Sequence, residues 1–205
     1  MRRNEVVKRF ELTTLQSKQI DMYIKELLDF NKHTNLIGKS TQTNIWERHM
    51  ADCLQLSLFI NKKNLKIFDL GTGGGLPGIP LSILGYRNIF MIDSVGKKID
   101  FIRNVIKKLS LSANTEKKRI EKLDIGKADL IVSRALAPLH KLLAYSLLLS
   151  NKNTTSLFLK GRNVYNEIEM AKKNFYFNFQ TFKSISSKEG CVLKIKNIKT
   201  KKKDD

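Results

Sequence analysis

The stretch FDLGTGGGLPGIP, residues 68–80, has the composition of a ligand-binding turn. It holds five of the eleven glycines of the chain and two of its three prolines. An apolar segment precedes it and a helix-compatible segment follows, which predicts a strand, a glycine turn and a helix. Such a turn gathers backbone N–H groups and the positive end of a helix dipole at one point, where a nucleotide-like ligand can bind.

Two nucleotide-binding patterns overlap in this turn. Residues 73–78 match G-x-G-x-x-G, and Asp93 follows the first of these glycines by 20 residues, as in dinucleotide sites. Residues 69–75 match the pattern of one acid and three glycines that is typical of S-adenosylmethionine (SAM) methyltransferases. Asp69 would repel a pyrophosphate, whereas the ammonium of SAM needs an acceptor, so Asp69 favours SAM.

Neither pattern is decisive at this point. Asp93 could accept hydrogen bonds from the ribose hydroxyls of either ligand, so it does not discriminate between them. The structural alternative is a tight turn that needs only the backbone freedom of glycine.

The elements around the turn follow two different patterns. Residues 1–62 are predicted to be helical, because a capping box at Thr13 precedes apolar residues at helical spacing. A second helix in this segment carries Trp46, His49 and Cys53 on one face. From about residue 64, short apolar runs alternate with amphipathic helices, which indicates a parallel sheet with crossover helices.

The strand pattern predicts a seven-stranded α/β fold. Parallel strands are expected in LKIFDL, NIFMIDS, NTEKKRIEKLDI, ADLIVSRA and TSLFLKG, and an antiparallel hairpin in FNFQTFKSI and CVLKIKNI. The third of these segments is so charged that its strand has no clear bounds. We predict an N-terminal helical segment at 1–62, a sheet domain at 63–198 and a disordered basic tail at 199–205.

Charge is the strongest signal in the composition. The 205 residues include 38 Lys and Arg against 19 Asp and Glu, a formal net charge of +19. Such an excess attracts a polyanion, and nucleic acid is the expected partner. An AT-rich genome could explain the preference for Lys over Arg, but it explains the deficit of acids less well.

Cysteine usage and hydropathy bear on location. Cys53 and Cys191 form neither a disulfide framework nor a metal-ligand spacing, so no metal is expected. The N-terminus lacks the apolar core of a secretion signal, and no run approaches about eighteen apolar residues. We expect a soluble, cytoplasmic protein with no membrane segment.

Several segments together resemble one family. DLGTGGGLPGIPLSI, with RHMADC before it and MIDSVGKKIDFIRNV, VSRALAPL and FLKG after it, is similar to the bacterial small-subunit rRNA methyltransferase G family (RsmG, also called GidB). The resemblance runs over nearly the whole chain in the same order. The extended glycine segment and the SRA segment are far more selective than a bare glycine motif.

The resemblance implies a fold, a reaction and a set of contacts. It implies a class I, Rossmann-like methyltransferase that transfers a methyl group from SAM to N7 of a guanine, in a 16S rRNA loop near the decoding region. The expected substrate is 16S rRNA, the small ribosomal subunit or its precursor, and the expected state is a monomer. The family's cofactor contacts fall on Gly71, Leu76, Ile120, Glu121 and Arg134, and the acid and glycine patterns add Asp69, Gly73, Gly75 and Asp93.

One position departs from the family. The family usually has proline where this chain has Gly74, so the turn is expected to be less preorganised.

The implied reaction fits what the sequence lacks. N7 of guanine has a lone pair and no proton to lose, so its attack on a sulfonium methyl needs positioning rather than a general base. SRALAPL stands where enzymes acting on exocyclic amines usually carry an Asn/Asp-Pro-Pro-aromatic segment. No cysteine is placed as a nucleophile, and no acid follows the fourth strand to activate a ribose hydroxyl. Because N7 is inaccessible in paired RNA, the target base must be unpaired or turned out of its stack.

Three sets of side chains are candidates for catalysis and RNA contact. Arg134, at the end of a predicted strand, can anchor a phosphate or a base edge, with a structural ion pair as the alternative. His49 and Asp52, three residues apart, can touch on one helix face and, by the family's RHxxD pattern, close over the cofactor or the guanine. A satisfied core histidine is the alternative for His49. Lys160 and Arg162, at the end of the fifth strand, are candidates for the RNA backbone.

Two other functions remain open at this level. A nicotinamide-dependent oxidoreductase would use the same glycines, although the sequence lacks a Tyr/Lys or His/Asp pair near the strand ends. An RNA-binding protein with a vestigial cofactor fold would bind rRNA but not SAM.

Overall fold

A single seven-stranded sheet runs through the computed structural model, which describes residues 1–201. The strands are β1 (Ile67–Leu70), β2 (Ile89–Asp93), β3 (Asn114–Lys117), β4 (Ala128–Arg134), β5 (Ser150–Lys160), β6 (Phe175–Lys183) and β7 (Cys191–Thr200). Their order is β3-β2-β1-β4-β5-β7-β6, with β1 to β5 parallel and β7 antiparallel to both of its neighbours. The predicted mostly parallel sheet with a C-terminal antiparallel hairpin is confirmed.

Eight α-helices surround this sheet in the described part of the chain. They are α1 (Arg3–Arg9), α2 (Thr14–Asn31), α3 (Lys39–Gln42), α4 (Asp52–Leu54), α5 (Gly78–Ile83), α6 (Gly96–Lys108), α7 (Leu139–Leu149) and α8 (Val164–Lys172). A π-helical segment (Trp46–Ala51) and a 3-10 segment (Gln55–Phe59) flank α4, and a 3-10 turn (Ile120–Lys122) follows β3. The helical N-terminal segment that the sequence predicts is therefore present.

The strand order opens a crevice between β1 and β4. From β1 the chain adds β2 and β3 on one side, and then returns to add β4 and β5 on the other. Open parallel sheets bind ligands beyond the carboxyl ends of their strands at such a reversal. The glycine turn after β1 and the segment after β4 meet there.

Side-chain alternation along β1 divides the core between two faces. Ile67 belongs to the core cluster that the N-terminal helices share, whereas Phe68 and Leu70 belong to the cluster under α7 and α8. Because successive side chains of a strand point to opposite faces, Asp69 lies on the side of Ile67. Its carboxyl group therefore lies between the sheet and helices from both the N-terminal segment and the sheet domain.

The N-terminal helices share a hydrophobic core with the sheet. Tyr23, Leu27 and Leu56, all fully buried, belong to the same cluster as Ile79 and Met91 of the sheet domain. The predicted boundary at residue 62 therefore separates two patterns of secondary structure that pack as one body.

Two details differ from expectation at the ends of the sheet. β3 is an edge strand of four residues, and none of them is buried, which is why its sequence is charged. β7 continues to Thr200, so the prediction of disorder is wrong for residues 199 and 200, which pair with Tyr176 and Phe175 of β6. The amide of Lys201 donates to the Asn174 carbonyl at 2.9 Å, and residues 202–205 of the predicted tail lie outside the described residues.

Within residues 1–201, no helix is both long enough and apolar enough to cross a membrane. In the same range, no group of three or more His, Cys, Asp or Glu side chains is arranged to hold a metal ion.

Candidate active site

The glycine turn lies directly against the segment that follows β4. Gly71 and Gly75 have φ angles of +66° and +93°, which disfavour any residue with a Cβ. A Cβ at Gly71 would lie 2.4 Å from Cδ1 of Leu136, and one at Gly75 would lie 2.5 Å from Cγ1 of Ile79. The glycines are therefore required by both backbone conformation and close approach at the mouth of the crevice.

Asp69 lies beneath the glycine turn and stabilises it through hydrogen bonds. The Thr72 hydroxyl and the Gly78 amide donate to its Oδ2 at 2.6 and 2.9 Å, so one oxygen joins the end of β1 to the start of α5. The side chain is fully buried, and its Oδ1 has no hydrogen-bond partner among the described residues. Burial raises the pKa of Asp69 to about 7, although the two hydrogen bonds act in the opposite direction.

Asp93 links the ends of β1 and β2. Its Oδ2 accepts from the Gly73 amide at 3.1 Å and its Oδ1 accepts from the Val95 amide at 2.9 Å. The ammonium of Lys98 lies 3.9 Å from Oδ2. Asp93 thus holds the glycine turn in place and lies at the carboxyl end of its strand, where a ribose-binding acid is expected.

Helix α2 supports the turn from above. The Tyr23 hydroxyl donates to the Gly74 carbonyl at 2.8 Å, and both groups are buried. A Cβ at Gly74 would lie 2.8 Å from Cδ1 of Leu27, so the position has no room for a larger residue unless this side chain moves. These contacts restrain the turn at the position where the family usually has proline.

Four of the predicted cofactor residues surround one small cavity. The small cavity, of about 100 Å³, is lined in part by Gly71, Asp93, Ile120 and Glu121. Tyr145 of α7 also lines it, and the pKa of this phenol is raised by burial and by the neighbouring Glu121 carboxylate. Sequence reasoning missed Tyr145, because it lies within a helix whose apolar pattern explains the residue equally well.

A larger cavity adjoins the small one. The large cavity, of about 430 Å³, is lined in part by Asp52, Arg134 and Lys160 and by Ser186 and Ser187 of the loop between β6 and β7. Leu136 lines both cavities and thus lies between them. The two cavities form adjacent compartments along the carboxyl ends of the strands.

Arg134 lies in an ion pair with the N-terminal segment. Its Nε lies 3.1 Å from Oδ2 of Asp52, and its terminal nitrogens donate to the Arg48 carbonyl at 3.3 Å and to the Cys53 sulfur at 3.9 Å. A guanidinium has five N–H donors, so two further donors remain for a ligand. The structural ion pair and a ligand-binding role are therefore compatible in one side chain.

Asp52 connects Arg134 to the loop between β6 and β7. Its Oδ1 accepts from the Ser186 hydroxyl at 2.7 Å and from the Gln55 amide at 3.0 Å. The Gln55 side chain also accepts from the Ile185 amide at 3.0 Å. Sequence reasoning missed Gln55 and Ser186, because they are 130 residues or so apart and no local pattern joins them.

His49 is a buried core residue in this structure. It is 3% exposed, its Nε2 lies 2.7 Å from the Thr41 hydroxyl, and its Nδ1 has no partner among residues 1–201. Burial, followed by the positive charges of Arg134 and Arg48, lowers the pKa of His49 to about 3. The imidazole is thus neutral at physiological pH and is unsuited to proton transfer there.

The suggested contact between His49 and Asp52 is not a hydrogen bond here, since each side chain has other partners. The reason is local. Residues 46–51 form a π-helix, which changes the rotation per residue that a spacing of three assumes for an α-helix.

Lys160 and Arg162, the two candidate RNA contacts, differ in the exposure of their side chains. The Lys160 ammonium lies 2.6 Å from the Glu167 carboxylate and donates to the Ala137 carbonyl at 3.1 Å, and its side chain is only 8% exposed. Glu167 also accepts from the amide of Leu139 at the start of α7, at 2.7 Å. The geometry gives Lys160 a structural part in fixing the segment after β4. Arg162, by contrast, is exposed.

Comparison with known proteins gives a consistent result. Residues 16–195 match the family model described as rRNA small subunit methyltransferase G. The curated relatives include ribosomal RNA small subunit methyltransferase G of Dinoroseobacter shibae, 37% identical over 78% of this chain and 85% of the relative. The corresponding protein of Orientia tsutsugamushi is 34% identical over 85% of this chain and 87% of the relative.

Solved structures resemble the chain in fold. Magnesium protoporphyrin IX methyltransferase of Synechocystis PCC 6803 with bound SAM has a TM-score of 0.60 at 16% identity, over 82% of this chain and 90% of that one. Ribosomal protein L11 methylase of Lactobacillus delbrueckii has a TM-score of 0.58 at 21% identity, over 71% and 75% of the two chains. At these identities the likeness concerns the fold alone.

Proposed function

The chain belongs to the rRNA small subunit methyltransferase G family, and from this premise we propose that it methylates N7 of a guanine in 16S rRNA. It is a SAM-dependent rRNA methyltransferase, and the guanine atom is the finer part of the proposal. The observation that carries the proposal is the pair of adjoining cavities at the carboxyl ends of β1 and β4. We assign the small cavity to the nucleoside part of SAM and the large cavity to the guanine.

The residues around the small cavity fit SAM. Bound there, SAM supplies an electrophilic methyl group on a sulfonium. A Cβ at Gly71 would collide with Leu136 in the wall of the small cavity, and Asp93 and Glu121 provide carboxylates that can accept from ribose hydroxyls and from an adenine amino group. Asp69 is not among the residues that line the two cavities; it lies buried beneath the turn, where its carboxylate can favour a bound ammonium group through its charge. Leu76, Gly73 and Gly75 complete the backbone of the turn.

The large cavity fits a nucleophile that needs no base. Of the carboxylates that line the large cavity, Asp52 is paired with Arg134 and Glu167 with Lys160. Two buried groups near Arg134 are unsuited to act as base or nucleophile near neutral pH, because burial lowers the pKa of His49 to about 3 and raises that of the Cys53 thiol to about 12. N7 of guanine carries its own lone pair and requires only alignment with the methyl carbon. We propose that Arg134 contacts the bound cofactor or base directly, while Asp52 positions its guanidinium.

The form of the RNA substrate, the location and the oligomeric state are further parts of the proposal. We propose that the unpaired target base enters the large cavity from a loop of 16S rRNA, in the free molecule or in the small subunit or its precursor. Arg162 is the better placed of the two predicted RNA contacts, because Lys160 is engaged with Glu167. We also propose that the protein acts as a monomer in the cytoplasm.

The test is a comparison of rRNA from cells with and without this protein. A nuclease digest of 16S rRNA should lose one 7-methylguanosine when the protein is absent and regain it when the wild-type chain is restored. The Arg134→Ala chain should fail to restore it. Loss of a different methylated nucleotide would still support rRNA methyltransferase activity, but it would exclude N7 of guanine as the target atom. Calorimetry should show binding of SAM and none of NADH, which separates the proposal from an oxidoreductase.

A further inference from the structure

A groove lies at the end of the sheet opposite to the candidate active site. It has a volume of about 630 Å³, between the start of β5, the start of β6 and the end of β7. The side chains that define this distal groove are Asn151, Lys152, Tyr176, Asn178, Asn197 and Lys199. Ser150 pairs with Ala128 at one end of β4, and Leu159 pairs with Arg134 at the other. Ser150 and Leu159 are therefore separated by the length of β4, roughly 20 Å, and the groove lining continues along β5 from Ser150 as far as Ser156.

Irregular strand pairing shapes one wall of the distal groove. Ala128 pairs with Ser150, but Leu130 pairs with Thr155, so residues 151–154 form a bulge within β5. The Asn153 amide donates to Oδ1 of Asn151 at 2.8 Å within this bulge. Asn151 and Lys152 are exposed and line the groove.

A bulge shapes the opposite wall. Tyr176 pairs with Lys199 and Asn178 pairs with Lys196, so two residues of β7 oppose the single Phe177 of β6. Asn197, in the bulge, has a φ angle of +56°, a left-handed conformation that asparagine adopts more readily than most L-residues. Bulges often re-aim a side chain next to a functional site, and Asn197 lines the groove.

The charge at the groove has one sign. Lys152 and Lys199 line the groove and, among residues 1–201, no acidic side chain does, and neither β6 nor β7 contains an acidic residue. Protection of an exposed edge by lysine is the ordinary explanation for such charges. β7 pairs with β5 only as far as Ile195, so Lys199 lies on a stretch of β7 that pairs with β6 alone and borders the groove. Edge protection accounts for Lys199, but Lys152 also lines the groove and gives it a second cation.

An exposed aromatic ring adds a second kind of contact. Tyr176 is 61% exposed, and the Lys201 ammonium lies 4.7 Å from the centre of its ring. A ring next to cations and side-chain amides is the combination that binds single-stranded nucleic acid: the ring stacks on a base, the cations contact phosphates and the amides reach base edges.

We propose that the distal groove binds a single-stranded segment of the rRNA substrate, with Lys152 and Lys199 on phosphates and Tyr176 stacked on a base. The proposal rests on the proposed function. It adds a second contact with the same RNA, toward the other end of β4 from the base that reacts. This contact supplies binding energy and orientation without taking part in methyl transfer.

The first experiment measures the salt dependence of RNA binding. Binding of polyuridylate and of a 16S rRNA transcript is measured at several KCl concentrations, for wild type and for the double variant Lys152→Ala/Lys199→Ala. Loss of two phosphate contacts should reduce the slope of log K against log[KCl] by about 1.4 for polyuridylate. The matched control, Lys8→Ala/Lys18→Ala, removes two exposed lysines from α1 and α2 and should retain the wild-type slope.

The second experiment tests the aromatic contact. Tyr176→Ala should weaken polyuridylate binding roughly fivefold to hundredfold, the range for loss of one stacked base. Tyr165→Ala is the matched control, because Tyr165 is 64% exposed on α8 and does not line the groove. SAM affinity should be unchanged in both variants.

Several results would overturn the proposal. Wild-type slope and affinity in all groove variants would exclude an RNA contact. A change of sedimentation in these variants, with RNA binding unaltered, would instead indicate a self-association surface on β6. If wild-type protein binds RNA through the groove but transfers no methyl group from SAM, the proposed function fails and the groove stands. If the groove variants methylate normally and bind RNA as the wild type does, the groove proposal fails and the proposed function stands.

Discussion

The small and large cavities of the cleft are built in different ways. Asp93 lines the small cavity and Asp69 lies beneath the adjoining glycine turn, and their carboxylates accept from the backbone amides of Gly73 and Gly78, which lie 20 and 9 residues away in the chain. Around the large cavity, side chains meet across the whole chain, as Asp52 does with Ser186, 134 residues away. The first compartment is a local motif, and the second depends on the complete fold. The two should therefore respond differently to substitution.

The largest expected effect is at Arg134, in the large cavity. Arg134→Ala removes the guanidinium donors and leaves the Asp52 carboxylate without its cation, so the rate of methylation should fall roughly a hundredfold or more. Arg134→Lys keeps the charge but loses the planar fork, and should recover only part of the rate. The measurement is single-turnover methyl transfer, with thermal unfolding as the control for folding. Near-normal methylation by Arg134→Ala would remove this residue from the site.

The next effect is at Gly71, in the small cavity. Gly71→Ala places a Cβ against Leu136 at a positive φ, and SAM affinity should fall roughly tenfold to hundredfold. Gly73→Ala is the matched control, since its φ is +58° but the nearest atom to its Cβ would be 3.9 Å away. Calorimetry with SAM should therefore show a smaller loss for Gly73→Ala. Equal losses would mean that strain alone, and not the contact with Leu136, closes the cavity.

A smaller effect at Ser186 would separate positioning from cofactor binding. Ser186→Ala removes one hydrogen bond to the Asp52 carboxylate, and kcat should fall roughly tenfold while the Kd for SAM stays constant. Ser187→Ala is the control in the same loop, because Ser187 lines the large cavity without a side-chain hydrogen bond to Asp52. An equal loss of SAM affinity in Ser186→Ala would show that the two compartments are not independent.

The smallest expected effect is a pH dependence of SAM binding. Asp69 has a pKa of about 7 before SAM binds, and an ammonium group favours its ionised form. SAM affinity should therefore rise with pH up to about 7 and level off above it, by at most tenfold per pH unit. Calorimetry between pH 6 and 8 measures this, with Asp69→Asn as the control that should remove the Asp69 contribution. The same pH profile in both proteins would assign the dependence to another group.

The residues around the small cavity could be predicted from the sequence better than those around the large cavity, because only the former belong to a local motif. The glycine turn, Asp69 and Asp93 form a continuous pattern of strand, turn and helix, so spacing alone places them at the carboxyl ends of β1 and β2. Gln55 and Ser186 carry no such pattern. Their relation to Asp52 exists only after the hairpin of β6 and β7 has packed beside the N-terminal helices.

The fold itself was largely predictable, and its exceptions have physical causes. Runs such as IFDL in β1 are buried on both faces, which makes their apolar letters unambiguous. β3 lies at the sheet edge, where solvent permits a charged sequence. The π-helical turn at Trp46–Ala51 was not predicted, because the buried residues His49, Met50, Cys53 and Leu54 recur in the sequence at the spacing of an ordinary α-helix.

The hydrogen bond from Tyr23 to the Gly74 carbonyl bears on how this protein can be dissected. A fragment starting at β1 would retain every glycine of the motif, but the Gly74 carbonyl would lose its hydrogen bond from Tyr23. The surface that Leu27 covers would also be exposed to water. The smallest portion able to hold a methyl donor therefore includes helix α2. Grafting the glycine segment onto another scaffold would need a substitute for this tyrosine.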